Sequence, residues 1–344
     1  MKRALLRDDP RPLWVCGWGG MSVLAQALWD LERELRPADF DAVLGKLRIH
    51  SISDQDFSGP WMRRCYGERL SYIVTPSQPD SSGTKDYWRA AWPGISTDRN
   101  AHGSEDGIRR TKGFSGADFD LVSKGWVRTY VRSVSPLGRL YPQTRFILEG
   151  DTPSYLGLIS NGLNCSEYPD FGGWGGRYEW RVPDGEDNAV WTASPDEVMG
   201  VDGLRHRSPQ ATIWRWRGDF QNDFAARMAW TSTADRAACC HPPVVDGTGQ
   251  ARSVLPGQEV PIGVTVQDPD GHGFDSHWFC YPEAGACGIS ASVLPGEDGQ
   301  SALVRIPEGS PPGTVHIVCA VTGRGSIPLT RYCRFVLEVR FQGA

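Results

Sequence analysis

The residues best suited to chemistry are two pairs of acids, Asp54 with Asp56 and Glu149 with Asp151. Each pair directly follows an apolar run that reads as a strand, residues 47–52 and 145–148. Two carboxylates at strand ends can divide acid and base work. One protonates a leaving group while the other activates water or stabilises an oxocarbenium-like sugar. They can equally hold a divalent cation or ribose-type hydroxyls. An isolated Asp of this kind more often shapes a polar turn or caps a helix. Two pairs at equivalent places in one parallel sheet would converge on a single crevice, and that raises both above the ordinary reading.

A second concentration of chemistry is EGDTPSYLGLISNGLNCSEYPDFGGWGGRYEW, residues 149–180. Glycine fills four of the five positions around Trp174, which lets a backbone approach a ligand closely with positive φ. Tryptophan offers a flat apolar face to a sugar ring or a base. This stretch is therefore expected to form a pocket floor. Trp174, Arg177 and Glu179 would position a ring, joined by Asn161 of the Asn-Gly turn and by Trp61. Later, Asp223 borders the apolar stripe Ile213, Trp216, Phe220, Phe224 and Met228 of a helix over 211–230. Arg227, one turn on, can neutralise it, so a structural ion pair and a role at the pocket are both open.

The elements that must position these residues follow from periodicity. Residues 13–18 form an apolar run ending at Gly19-Gly20. Leu24, Leu28, Leu31 and Leu35 then recur at helical spacing, with Ser22 placed as an N-cap. A helix near Ala38 and Asp39 leads to the strand 47–52, and residues 72–75 read as a third strand. Helices between nearly continuous apolar runs indicate a mostly parallel sheet, buried on both faces, with ligand groups at the carboxyl ends of its strands. Residues 76–120 are rich in Ser, Gly, Asp and Pro and read as a long mobile loop, with Trp88 and Trp92 anchoring its start and His102 solvated. Residues 126–134 read as helix and 181–209 as an exposed excursion. After His241-Pro-Pro the pattern changes to alternating short strands, with turns at Pro256-Gly, Asp268-Pro-Asp-Gly, Pro295-Gly and Pro312-Gly. That spacing predicts an immunoglobulin-like sandwich. The expected organisation is an α/β domain over 1–241 and a β-sandwich over 242–344.

Composition bounds the partners. A net charge of −5 over 344 residues argues against nucleic acid and anionic membranes, which need a basic surface. No stretch approaches the roughly 20 apolar residues of a membrane span. Asp8, Asp9, Pro10 and Arg11 interrupt the amino terminus before any apolar core of a secretory leader forms. Fourteen Trp and 40 Gly in a non-basic chain favour stacking on neutral sugars or bases. Of the nine cysteines, Cys280, Cys287, Cys319 and Cys333 could form two bridges in a small β domain, while the adjacent Cys239-Cys240 have no zinc spacing.

The motifs PRPLWVCGWGG, LAQALWDL, KLRIHSISDQD, GPWMRR, EGDTPSYLGLISNGLN, DFGGWGGRYEW and QATIWRWRGDFQNDFAARMAW closely resemble the family of cellulose-binding proteins with a nucleoside-hydrolase-like domain. The HPPVV and QDPDG segments resemble that family's C-terminal β-sandwich. The resemblance implies that Gly19 to Ala25 is the glycine turn from which nucleoside hydrolases donate a backbone oxygen to calcium, with Ser22 the donor. By the same resemblance Asp223 stands where a late metal-binding aspartate would. Relatives begin with a strand bearing a D-x-x-x-D-D metal motif, and nothing precedes Met1 here. The resemblance thus implies an incomplete calcium site, secreted relatives, and a sheet edge to be covered by a second copy in a homo-oligomer or by a rearranged terminus. Three functions follow: a hydrolase cleaving a glycosidic or N-glycosidic bond with its pocket acids, a carbohydrate-binding protein without turnover, or a pocket repurposed for another small molecule.

Overall fold

The computed structural model describes residues 1–74, 116–142, 150–183, 186–247 and 251–340. The 145–148 strand, the 76–115 part of the long loop and Glu149 lie outside these residues. The chain opens with α1 (Lys2–Leu5), β1 (Leu13–Gly17), α2 (Ser22–Glu34), α3 (Pro37–Lys46), β2 (Leu47–Ser51), α4 (Ser58–Tyr66) and β3 (Ser71–Val74). After the long loop come three short helices, α5 (Lys124–Val127), continued by a wide turn at Arg128–Arg132, α6 (Pro136–Arg139) and α7 (Pro153–Leu156). Strands β4 (Tyr178–Arg181), β5 (Val190–Ala193), β6 (Asp196–Met199) and β7 (Arg205–Ser208) precede α8 (Ala211–Trp214) and α9 (Arg217–Trp230).

The main sheet has the order β1-β2-β3-β5-β4, parallel except for the β4 edge. Alternation sends Leu13, Val15, Leu47, Ile49, Tyr72 and Val74 to one face, where Leu24, Leu28 and Leu31 of α2, Phe40 and Leu44 of α3 and Met62 of α4 cover them. Two sequence expectations change here. Residues 181–209 are no mere excursion, because β5 completes the parallel sheet between β3 and β4 and β6–β7 form a hairpin. Four residues in a Ser/Asp/Pro-rich segment carry too little pattern to announce a strand; its neighbours supply the burial. Ser22 does not cap α2: Met21 holds the cap position with no side-chain bond, and Ser22 is the first helical residue.

From Val244 on, eight strands form two four-stranded sheets stacked as a sandwich. These are β8 (Val244–Gly247), β9 (Ala251–Val254), β10 (Glu259–Gln267), β11 (Phe274–Cys280), β12 (Ser292–Pro295), β13 (Ser301–Arg305), β14 (Gly313–Gly323) and β15 (Thr330–Val339). The sheet orders are β12-β13-β10-β8 and β11-β14-β15-β9. The core between them holds Val304, Val315, Ile317, Phe335 and Leu337. All nine cysteines are free thiols, so the two bridges considered from the sequence are not formed. Cys319 and Cys333 lie opposite each other on β14 and β15.

The sandwich packs onto the second face of the main sheet. Trp14 and Ile73 on that face share one core with Trp174, Trp216 and Phe220 and with Tyr281, Val318 and Tyr332 of the sandwich. The Tyr332 N–H donates to the Asn161 carbonyl at 2.9 Å, and Arg334 Nη2 donates to the carbonyls of Leu163 and Gly172, each at 3.0 Å.

Two buried histidines make this packing sensitive to acid. Burial holds the His50 imidazole down to about 3, with Nε2 3.1 Å from the Tyr178 hydroxyl. His316 is likewise lowered to about 3 by burial and by Arg334. The unfolded chain takes up these protons near 6.5, so this stability is complete above that pH and is lost as pH falls toward 3. Each histidine contributes a slope of up to about 1.4 kcal/mol per pH unit. Urea unfolding at stepped pH should show this slope, and His50→Gln should make it shallower by about one histidine's share.

Candidate functional site

The described acids singled out from the sequence make the following contacts. Asp54 accepts two hydrogen bonds from Arg63, Nη1 at 2.9 Å and Nη2 at 2.8 Å, and the same buried guanidinium also pairs with Glu186. Asp56 Oδ1 accepts the Ser58 N–H at 2.9 Å, bracing the first turn of α4. Asp223 is held by Arg227 Nε at 2.5 Å and by Arg331 Nη2 of the sandwich at 3.0 Å. The first is the i,i+4 pair that the sequence left open beside a role at the pocket; the second needs the tertiary fold. Asp151 is half-buried, and its carbonyl accepts the Ser154 hydroxyl at 2.8 Å.

Residues 150–180 serve as a structural joint between the main sheet and the sandwich. Trp174 is 0% exposed, packed between Phe220 and Tyr332, with Nε1–H donating to the Tyr332 hydroxyl at 3.2 Å. Its ring offers no face to a ligand. The flanking glycines line a cavity of about 40 Å³ against Trp14 and His50. That is room for a few waters at most, since each needs roughly 10–15 Å³ on this measure. The close approaches the glycines permit are internal. A Cβ on Gly162 (φ 84°) would stand 1.8 Å from the Tyr332 carbonyl oxygen, and one on Gly172 (φ 70°) 2.5 Å from the Tyr281 hydroxyl. Asn161 Oδ1 accepts the backbone N–H groups of Leu163 and Asn164 at 2.9 and 2.8 Å. Arg177 donates to Asp196 at 2.6 Å, and Asp196 also binds Arg215 and the Tyr281 hydroxyl. Glu179, on the β4 edge, pairs with Arg181 and accepts the Ser194 hydroxyl. Trp61 lies elsewhere, half-buried on the helical side of the main sheet.

A concave site large enough for a ligand is a cleft of about 430 Å³ where β1 ends, within the roughly 300–1,000 Å³ usual for ligand pockets. Trp18, directly after β1, stands at its mouth, 55% exposed, with Nε1–H fixed on the Ser154 hydroxyl at 2.7 Å. Tyr155 of α7, Trp126 of α5, Tyr141 and Phe224 of α9 supply further aromatic surface. Phe224 holds Trp126 and Tyr141 at ring distances of 6.3 and 5.7 Å. Thr152, Gln221, Asp223 and Arg227 add polar groups. Among the described residues chosen from the sequence as site candidates, Asp223 alone lines this cleft. Trp18 was visible as a tryptophan between a strand end and Gly19-Gly20, but nothing in the sequence distinguished it from Trp14, which the fold packs half-buried against the joint.

A mostly parallel sheet with its cleft at a strand's carboxyl end, braced by a β-sandwich, defines an α/β protein with an appended β domain. Residues 1–178 match the family described as cellulose-binding Sde182, nucleoside hydrolase-like domain, and residues 259–339 match the cellulose-binding protein Sde0182, C-terminal domain. The chain belongs to this family, as its motifs implied. It is also similar to a solved nucleoside hydrolase-related hypothetical protein from Saccharophagus degradans that is associated with carbohydrate metabolism. The identity is 26% and the TM-score 0.74, over 98% of this chain and 74% of that one. No curated protein matches it.

The calcium implied by the family does not fit the residues described. Both Asp223 oxygens already face guanidinium groups, which would repel a cation. Ser22 lines a different groove, on the helical side. Among the described residues no three His, Cys, Asp or Glu side chains gather as a metal site, and no helix is long and apolar enough to cross a membrane.

Proposed function

We propose that this chain binds carbohydrate in the cleft beside Trp18 and does not cleave it. The observation that carries this reading is the cleft lining: several aromatic rings with a few hydrogen-bonding groups, at a parallel sheet's carboxyl end. Aromatic faces suit the apolar faces of sugar rings, and the family descriptions name cellulose binding. Residues 1–241 would then form the ligand-binding unit, with 242–344 bracing it. Hydrolysis needs a carboxylate able to exchange protons. Asp54, Asp56 and Asp223 are instead committed to Arg63, to the start of α4, and to Arg227 with Arg331.

Pull-down on insoluble cellulose and calorimetry with soluble cello-oligosaccharides test this. Trp18→Ala should weaken binding by about 30-fold, the loss of about 2 kcal/mol typical of a central tryptophan, with melting unchanged. Aryl glycosides and nucleosides should show no product release at high protein concentration, with or without calcium. The hydrolase reading keeps one point in its favour, that Asp223 does line the cleft. Sustained turnover abolished by Asp223→Asn would establish hydrolysis and overturn the binding-only reading.

A further inference from the structure

A second aromatic surface lies on the helical side of the main sheet. Ser22, Gln26 and Trp29 of α2, spaced four and three residues apart, share the side opposite the buried Leu24, Leu28 and Leu31. With Phe57, Ser58 and Trp61 at the start of α4 they line an open groove of about 490 Å³. Phe57 is 92% exposed and Trp29 42%. A nearly bare phenylalanine adds little to folding through burial, so the groove calls for an occupant.

The rings are held in place rather than loose. The loop carrying Phe57 is braced on both sides, by Asp54 on Arg63 and by Asp56 on the Ser58 N–H. The Arg33 guanidinium lies 3.4 Å from the Trp29 ring centroid, and its Nη1 donates to the Trp29 carbonyl at 2.7 Å. Trp61 packs edge-on to Tyr66, with centroids 5.8 Å apart. Rings fixed before binding lose little entropy on contact. Among the described residues, the polar groups lining the groove are hydroxyls and one amide, from Ser22, Ser58 and Gln26; the amide donates to Asp30 at 2.8 Å, and the Arg33 guanidinium covers one face of Trp29. That composition suits a neutral polyhydroxylated ligand better than a peptide or a nucleic acid.

The Gly19-Gly20 turn runs between a residue of the cleft and the neighbour of a groove residue. Trp18 faces the cleft, and two residues later Gly20 abuts Asp56, whose Oδ2 would lie 2.1 Å from a Cβ at that position. Phe57 follows Asp56 directly. We propose that Trp29, Phe57 and Trp61 form a second glycan-stacking surface, continuous with the cleft across the Gly19-Gly20 turn. The ligand is then an extended polysaccharide chain rather than a single sugar. This rests on the carbohydrate reading of the cleft, and its test separates the two.

The Trp29→Ala/Phe57→Ala double variant removes two exposed rings, and thermal melting confirms that it folds. Calorimetry with cello-oligosaccharides from disaccharide to hexasaccharide, on wild type and variant, reads the effect, alongside sedimentation of both proteins over a range of concentrations. Wild-type affinity should rise with chain length. In the variant the rise should disappear, leaving the disaccharide unchanged and the hexasaccharide about tenfold weaker. An undiminished rise in the variant overturns the second surface and leaves the cleft standing. Absence of binding to wild type at every length overturns both. A wild-type dimer that the variant loses, with oligosaccharide binding unaltered, overturns the glycan assignment and gives the groove to a second copy of the chain.

Discussion

Trp174→Ala is expected to destabilise the protein by about 3–5 kcal/mol, the cost of emptying a large aromatic site in a packed core. Trp174 is wholly buried where the α/β sheet meets the sandwich, with Phe220 on one side and Tyr332 on the other. Its indole N–H donates to the Tyr332 hydroxyl, which in turn donates to the Asp219 carboxylate, and Asp219 also accepts from Thr330 Oγ1 at 2.8 Å. Burial raises the Asp219 carboxyl above its usual range, while the Tyr332 and Thr330 donors oppose that rise. Losing the indole therefore opens a cavity and unsettles a buried polar chain. Denaturant unfolding at neutral pH measures the loss, and oligosaccharide affinity of the folded protein should stay within about twofold. Weakened binding with unchanged stability would show instead that Trp174 touches the ligand.

Arg63→Met is expected to cost about as much, again about 3–5 kcal/mol, for an electrostatic reason. The Arg63 side chain is 1% exposed and holds Asp54 and Glu186 together. Methionine keeps much of the volume but leaves two partly buried carboxylates facing each other without a cation. Denaturation of both proteins at neutral pH reads this out. A loss under about 1 kcal/mol would show that the cluster does not brace the loop. Since that loop carries Phe57, the variant should also lose the gain in affinity with chain length.

Much of the fold was legible in the sequence. The Leu24, Leu28 and Leu31 stripe, the glycine turn after 13–18 and the runs at 47–52 and 72–75 announced helices alternating with parallel strands. The turn spacing after 242 announced the sandwich. The misses share one cause. β5 is four residues long and is a strand because β3 and β4 lie on either side of it. The helix expected over 211–230 is interrupted at Trp216, which sits at the cap between α8 and α9.

The site was less legible. Residue type identifies what a side chain can do, and its partners decide what it does. Asp54 and Asp223 have the type for catalysis, and the sequence offered Arg227 as a partner for the second. Arg63 and Arg331, which commit them, lie 9 and 108 residues away. The dense Gly/Trp stretch over 149–180 was expected to let a ligand approach closely, but what approaches Gly172 and Gly162 is the sandwich, through Tyr281 and Tyr332. By itself the sequence determined the local elements, the family and the chemistry available, because periodicity, turns and motifs are properties of neighbouring residues. Only the tertiary structure decided which tryptophans face solvent and which acids are already paired, because burial and charge compensation come from residues far apart in the chain.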